Sequence, residues 1–220
     1  MIEVTYVDHM GSDLSVVNAA RVSFGKESLW NWSKELDSDT GDGRTLRERD
    51  TNLIKYLAKH RHMSPFGHAF ASFHVKAPIF VARQLVKHKF LRWNEISRRY
   101  VDDKPEFYEP DEWRGRADDK KQGSAGAVES VPVGALKVQG YCLAAYQDLL
   151  SSGICPEQAR MVLPQSTMTE WYWSGSLDAF MDMCNLRCKE DTQLETRLVA
   201  DYIRSEMIKL FPVSVEALVK

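Results

Sequence analysis

The stretch PIFVARQLVKHKFLRWNEISRRY (residues 78–100) carries the sharpest change of pattern in the chain. Its first half predicts a helix, because Pro78 suits the first helical position and Ile79, Ala82 and Val86 lie along one helical face. The second half loses this period and becomes dense in polar groups. The chain therefore changes its secondary structure within this stretch.

The second half of the stretch is strongly basic. Its basic side chains are Lys87, His88, Lys89, Arg92, Arg98 and Arg99. Glu95 is its one acidic residue. A solvated helix face normally mixes both signs of charge, so this composition favours a pocket for polyanions such as phosphates. A basic surface patch without a ligand remains the alternative.

Length and charge limit the remaining function classes. A chain of 220 residues suits one domain, and a net charge of −2 offers no general attraction for nucleic acids or membranes. An anion site must therefore be local. The absence of a signal-like start and of a long apolar run predicts a cytoplasmic protein without a membrane span. The four cysteines are expected to be free thiols.

The periodicity outside the central stretch predicts mixed α and β structure. Strands are expected at 2–7 and 69–76, and helices at 14–22, 51–60, 134–152 and 192–211. The last third of the chain is expected to be helical. Two polar segments, 25–50 and 111–130, read as insertions in a single domain that spans residues 1–220.

The histidines do not predict a metal site. His60 and His62 are two residues apart and cannot share a helix face, and no third ligand with zinc-like spacing is near. Arg187 is more informative, because it follows Phe180 by seven residues and Cys184 by three, along the apolar face of a predicted helix. A buried guanidinium is costly, so an anion or a carbonyl should face it. A structural carboxylate is the alternative partner.

The spacing of the central motif resembles the signature of the flavin-dependent thymidylate synthases. That signature has a histidine between two basic residues, followed by an NExSxRY pattern. In this chain the two parts are residues 87–89 and NEISRRY (94–100). HRHMSPFGH (60–68) and FHVKAPIFVARQ (73–84) resemble the family upstream, and ARMVLP (159–164) and NLR (185–187) resemble it downstream. The likeness spans most of the chain in the family's order.

This resemblance implies an enzyme that methylates dUMP reductively to dTMP. Methylenetetrahydrofolate would supply the carbon, and FAD reduced by NADPH would supply the hydride. The fold implied is of the α/β class, α+β type, with a central, largely antiparallel sheet flanked by helices. The family forms homotetramers whose active sites are shared between chains.

The resemblance also assigns roles to residues. Arg187 would be catalytic by stabilising negative charge on the uracil ring, and Ser97 would act as a hydrogen-bonding group beside it. The residues implied in dUMP binding are Gln84, Lys87, Glu95, Ser97, Arg98, Arg99, Arg160 and Arg187. Those implied in flavin binding are His62, Ser64, Lys87, His88, Lys89 and Glu95. Arg160 would serve the site of a neighbouring chain.

Several positions depart from the family's usual pattern. Lys87 and Lys89 replace arginines and so lose the planar fork that binds anions with two bonds. Gly67 stands at a commonly acidic position. Ser176, Asp178, Asp182 and Asp191 stand where the family usually has Asn, Arg, Asn and His. Extra carboxylates repel a pyrophosphate, so we expect FAD to be held more loosely or its adenine end to be seated differently.

Two other functions remain open at this stage. A pyrimidine-nucleotide hydroxymethylase on the same fold would complete the carbon transfer with water, and the mass of its product would distinguish it. A non-catalytic nucleotide-binding module is the second alternative. The retained Glu95, Ser97, Arg99 and Arg187 argue against a non-catalytic module.

Overall fold

The computed structural model describes residues 1–32, 43–118 and 123–220, with Leu136 described by its backbone alone. The strands are β1 (Glu3–Met10), β2 (Asn31–Trp32), β3 (Arg44–Thr45), β4 (Phe70–Pro78), β5 (Leu91–Glu95) and β6 (Met168–Ser176). The α-helices are α1 (Asp13–Arg21), α2 (Glu48–Lys59), α3 (Ile79–Leu85), α4 (Val133–Ser151), α5 (Pro156–Ala159), α6 (Leu177–Arg187), α7 (Leu194–Leu210) and α8 (Pro212–Leu218).

The centre of the fold is a four-stranded sheet with the order β1-β4-β6-β5, and every neighbouring pair is antiparallel. Apolar residues alternate along β4 and β6, so one face of the sheet is buried. Helices α6 and α7 lie in this core. Phe180 of α6 packs edge-on against Phe73 and Trp173 at ring distances of 5.3 and 5.5 Å. The predicted antiparallel sheet flanked by helices is confirmed.

The largest correction concerns β6, because the last third of the chain is not wholly helical. The segment MTEWYWSGS forms the strand that pairs with both β4 and β5. Trp171 and Trp173 point into the core, whereas Tyr172 between them is exposed. This period of two is a strand signal that the prediction of a helical last third overlooked.

Two prolines also differ from their predicted places. Pro78 ends β4 and caps α3, so the first helical residue is Ile79. Pro212 does not merely stop α7 but begins α8. The buried carboxylate of Asp13 accepts hydrogen bonds of 2.9 Å from the Val213 and Ser214 amides. This carboxylate satisfies amides that the start of α8 would otherwise leave unpaired.

The two predicted insertions are only partly described, because residues 33–42 and 119–122 lie outside the described residues. Helix α2 starts at Glu48 and so takes up the end of the first segment. Its Asp50 is fully buried and accepts hydrogen bonds from Arg21 and from Ser28, which anchors that end of the segment to the core. The second segment contains a bridge between Arg114 and Ala127. The single-domain organisation with insertions stays a prediction.

Three further features concern membrane spans, metal ligands and the state of the cysteines. No described helix is long and apolar enough to cross a membrane. The described residues contain no group of three metal-ligating side chains. The free cysteines are Cys142, Cys155, Cys184 and Cys188, as predicted.

Candidate functional site

A cavity of about 1240 Å³ lies beside the end of α6. Its walls come from α3, α4, the start of α7 and the segment 108–114. Its lining includes Gln84, Lys87 and Arg187, which were all predicted to bind the nucleotide. Gln84 and Lys87 are about 100 positions from Arg187 in the chain, so the fold has to bring them together.

Arg187, the last residue of α6, is half-buried in this cavity. Its Nε donates to His88 Nε2 at 3.0 Å, and its Nη2 donates to the Gln84 backbone carbonyl at 3.4 Å. Among the described residues no carboxylate forms an ion pair with it. The predicted carbonyl partner is therefore present, and the positive charge remains available to a ligand.

His88 holds Arg187 as a neutral imidazole. Burial and the nearby Arg187 guanidinium lower the pKa of His88 from 6.5 to about 4, while Asp182 acts in the opposite direction. A neutral ring can accept a hydrogen bond at Nε2, whereas an imidazolium cannot. His88 thus orients the guanidinium without neutralising it.

The side chain of Gln84 is fixed at both ends of its amide. Its Oε1 accepts from Thr196 Oγ1 at 3.2 Å, and its Nε2 donates to Gln193 Oε1. Both partners lie at the start of α7. Gln84 therefore presents a defined amide orientation to the cavity.

Lys87 and Lys89 flank His88 and are exposed, and Lys87 lines the cavity. The next residue, Phe90, has a φ of 64° and an 86% exposed side chain. Left-handed backbone at a residue with a Cβ costs about 1 kcal/mol or more. This unfavourable turn carries the chain from the Lys-His-Lys motif into β5.

Glu95, Ser97 and Arg99 are not part of the cavity lining. Glu95 accepts from Trp93 Nε1 at 3.0 Å and from Thr169 Oγ1 at 2.6 Å. Arg99 Nε donates to Ser97 Oγ at 3.3 Å. These side chains form a separate cluster of polar residues at the end of β5, outside the cavity lining.

Arg98 and Arg160 also lie outside the cavity. Arg98 Nη1 donates to the carbonyl and carboxylate of Asp103 at 2.6 and 2.7 Å, so an acidic partner already occupies it. Arg160 is exposed and donates from Nε to the Glu157 carbonyl at 3.2 Å. A single chain therefore gathers only part of the predicted nucleotide site.

A smaller cleft of about 360 Å³ is lined by Met181 and Asn185 of α6, among others. Met63 lines it, between the exposed His62 and Ser64 that were predicted to bind a flavin. Asp178 and Asp182, two of the unusual acidic positions, line the same cleft. The remaining charged lining residues are Lys55, Lys59, Arg61, Glu216 and Lys220.

The sequence analysis did not predict that several further residues line the same cavity. Tyr108, Trp113 and Arg114 come from the extended segment after residue 100, and Glu195 comes from α7. Arg114 Nη2 donates to Glu195 Oε1 at 2.6 Å. Glu195 follows Arg187 by eight residues, but the two lie in different helices and carry opposite charges. Their spacing in the sequence therefore did not indicate that both line one cavity.

Comparison with known proteins finds related sequences over most of the chain. The family model described as Thymidylate synthase complementing protein (Thy1) matches residues 5–213. A flavin-dependent thymidylate synthase from Thermus thermophilus is 43% identical over 208 residues, which cover 94% of this chain and 71% of the relative. One from Thermosipho africanus is 38% identical over 226 residues, with coverage of 97% and 89%.

Crystal structures extend the likeness to three dimensions. A UMP/dUMP methylase, PolB from Streptomyces cacaoi, bound with 5-Br dUMP, is 34% identical and has a TM-score of 0.81. The match covers 99% of this chain and 94% of that one. The structure with 5-Br UMP has a TM-score of 0.82 at 33% identity.

The fold and the cavity define an α+β protein with a polar cavity in which Lys87 and Arg187 carry positive charge. The matches then identify the family, because they cover nearly the whole chain. The chain belongs to the flavin-dependent thymidylate synthase family, which is a family of enzymes.

Proposed function

We propose that this protein converts dUMP to dTMP, with methylenetetrahydrofolate as the carbon donor and NADPH-reduced FAD as the hydride donor. The observation that carries the proposal is the geometry of Arg187. Neutral His88 and a backbone carbonyl hold its guanidinium in a cavity that also contains Gln84 and Lys87. Such an arrangement stabilises negative charge that develops on a bound pyrimidine.

The roles of the chain's own residues follow from their chemistry. Arg187 stabilises negative charge at the N3–O2 edge of uracil, which makes C5 more nucleophilic, and a preoriented donor of this kind is worth about 3 kcal/mol. Lys87 is an exposed cation suited to the phosphate. Gln84 contributes its oriented amide. No enzyme thiolate is required.

The smaller cleft fits part of a flavin dinucleotide. Lys55, Lys59, Arg61 and Lys220 supply cations suited to phosphates. Glu216 pairs with Lys55 at 3.7 Å, and Asp182 lies 4.0 Å from Lys220 Nζ, so two of the three carboxylates have a positive partner. We infer that His62, Ser64, Lys87, His88, Lys89 and Glu95 hold FAD, with His62 and Ser64 beside Met63 of this cleft and the other four outside its lining. When bound, it supplies the hydride that completes the methyl group.

The proposal includes a homotetramer in the cytoplasm with shared sites. Glu95, Ser97, Arg98, Arg99 and Arg160 do not line the cavity of their own chain, although the family resemblance assigns them to dUMP. Contribution to a neighbour's site reconciles these two facts. In that arrangement Ser97 hydrogen-bonds to the pyrimidine, and Arg160 binds the neighbour's nucleotide.

Anaerobic absorbance spectra test the function. The purified protein with FAD is expected to bleach when NADPH is added, and to regain its flavin absorbance only when methylenetetrahydrofolate and dUMP are both present. Failure of the flavin to bind or to bleach would overturn the proposal and favour a nucleotide-binding module. A product that is heavier by one oxygen would identify a hydroxymethylase instead.

Methylation of UMP is a second candidate, favoured by the UMP/dUMP methylase among the structural neighbours. The same assay with UMP in place of dUMP decides it. Turnover with UMP at a similar kcat/KM would broaden the substrate to both nucleotides. Turnover with dUMP alone would restrict it to the deoxynucleotide.

A further inference from the structure

The cavity is larger than one nucleotide requires. Pockets for small ligands measure roughly 300–1000 Å³, and this one measures about 1240 Å³. Its volume therefore leaves room for a second ligand. The chemistry of the remaining lining residues indicates which kind of ligand would fit there.

Charges of both signs line the cavity. Among the described residues its cations are Lys87, Arg114 and Arg187, and its carboxylates are Glu109, Asp111, Glu112 and Glu195. A phosphate is attracted to the cations and repelled by the carboxylates.

Aromatic side chains also line the cavity. Phe80 of α3 and Tyr108 pack edge to face at a ring distance of 6.0 Å, and Trp113, which lines the cavity too, is 45% exposed. Aromatic faces of this kind favour contact with a flat ring. These three residues are thus suited to a planar, uncharged part of a ligand.

Glu195 has an unused acceptor. It is 3% exposed, and its Oε1 accepts from Arg114 at 2.6 Å and from Tyr108 at 3.5 Å. Its Oε2 is buried and has no hydrogen-bond partner among the described residues. A buried carboxylate oxygen without a donor is costly. Glu195 lines the cavity, so a ligand that brings an N–H group would be favoured there once the carboxylate turns towards it.

We propose that Glu195, with Phe80, Tyr108 and Trp113, forms a subsite for the ring of a co-substrate that presents an exocyclic N–H donor. This inference rests on the proposed function. Two of its co-substrates have this chemistry, namely the 2-amino group of a reduced folate and the carboxamide of NADPH. Lys87 and Arg187 hold the nucleotide in either case.

The test uses the FAD-loaded protein and its Glu195→Gln variant, in which an amide of the same shape replaces the carboxylate. Calorimetry measures the Kd of dUMP, tetrahydrofolate and NADP⁺ separately. NADP⁺ replaces NADPH because it carries the same carboxamide but cannot reduce the bound FAD. One co-substrate is expected to bind about 10-fold to 100-fold more weakly to the variant, as for the loss of a hydrogen bond to a charged group. The Kd of dUMP is expected to change less than about threefold, because the partners of Glu195 are Tyr108 and Arg114, which are not assigned to the nucleotide.

Analogues without the donor distinguish binding from a merely structural role. A 2-desamino-2-methyl folate and the 3-acetylpyridine analogue of NADP⁺ lack the N–H groups in question. Wild-type protein is expected to discriminate against one of them about 10-fold or more, and the Glu195→Gln variant is expected to lose that discrimination. Arg83→Ala on the exposed side of α3 serves as the matched control.

The outcomes separate the two proposals. Loss of tetrahydrofolate binding alone assigns the subsite to the pterin ring. Loss of NADP⁺ binding, together with lost discrimination against its 3-acetylpyridine analogue, assigns it to the nicotinamide. Loss of NADP⁺ binding with that discrimination unchanged points to the adenine amine and overturns the assignment. Unchanged binding of both co-substrates overturns the subsite, as does a loss confined to dUMP. If the variant does not fold, equal wild-type affinities within each analogue pair overturn it. Absence of dUMP binding to the wild type would instead contradict the proposed function.

Discussion

Arg187 retains its positive charge because its neighbours are neutral acceptors. Burial lowers the pKa of this guanidinium, but arginine remains protonated in proteins. His88 and the Gln84 carbonyl satisfy part of its donor set without adding a negative charge. A carboxylate in the same place would have screened the charge from the ligand.

Replacing Arg187 with alanine is expected to lower kcat by at least about 100-fold, as for the loss of a donor that stabilises developing charge. The fold should persist, since the residue lies at the end of α6 and not in its apolar core. Steady-state kinetics and circular dichroism measure the two quantities. Arg83→Ala is the control. Near-normal turnover in Arg187→Ala would contradict the assigned role.

The protonation of His88 predicts a pH dependence of stability. Its pKa is about 4 in the folded protein and near 6.5 in the unfolded chain, so the unfolded chain binds more protons between these values. The free energy of unfolding is therefore expected to fall as the pH decreases from about 6.5 to 4. Urea unfolding across this range measures it. His88→Gln keeps an acceptor that does not titrate, and should show a shallower decline; equal slopes would refute the assignment.

Strands β5 and β6 position the functional residues through close backbone contact. Gly175 of β6 pairs with Leu91 at the start of β5. A Cβ at position 175 would lie 3.0 Å from the Phe90 carbonyl oxygen and would overlap the Leu91 side chain. Glycine is required here because the Lys-His-Lys turn passes directly over the strand.

Gly175→Ala is expected to destabilise the protein by about 1–3 kcal/mol, since β5 must shift to make room. The KM for dUMP should rise as well, because the shift moves the turn that carries Lys87. Chemical unfolding and kinetics test both effects. In Gly140→Ala, on α4, the added methyl meets no atom within 4 Å, so this control should be neutral or slightly stabilising. Equal stabilities of the two variants would show that β5 tolerates the side chain.

The molecule as one chain holds only part of the proposed site. Gln84, Lys87 and Arg187 share a cavity, whereas Arg160 is exposed and lies outside it. The end of β5, with Glu95 and Ser97, also lies outside it. Closed assemblies of identical subunits can combine such separate groups across an interface.

Mixing two inactive variants tests this shared arrangement. Arg160→Ala and Arg187→Ala homomers are each expected to be inactive. Refolded together in equal amounts, they should regain up to about a quarter of the wild-type sites by random assortment. Activity assays before and after mixing measure the gain. No gain, despite confirmed exchange of subunits, would place Arg160 in the site of its own chain.

Much of this protein could be predicted from local patterns. Spacing within residues 78–100 indicated the motif, and the family resemblance assigned an α+β fold with an antiparallel sheet. The helical period singled out Arg187 and anticipated its carbonyl partner. The strand β6 was missed although its tryptophans alternate, and Pro212 was taken as a stop although it begins a helix.

The remaining features depend on contacts between distant parts of the chain. The amino-acid sequence established the chemistry available, namely the basic motif and a buried-face arginine. The pairing of Arg187 with His88 spans 99 residues, and that of Arg114 with Glu195 spans 81. No periodicity encodes such pairs, because they arise when β6 pairs with β4 and β5 and the helices pack on the sheet. Tertiary packing therefore set the charge state of His88 and the set of residues that line the cavity.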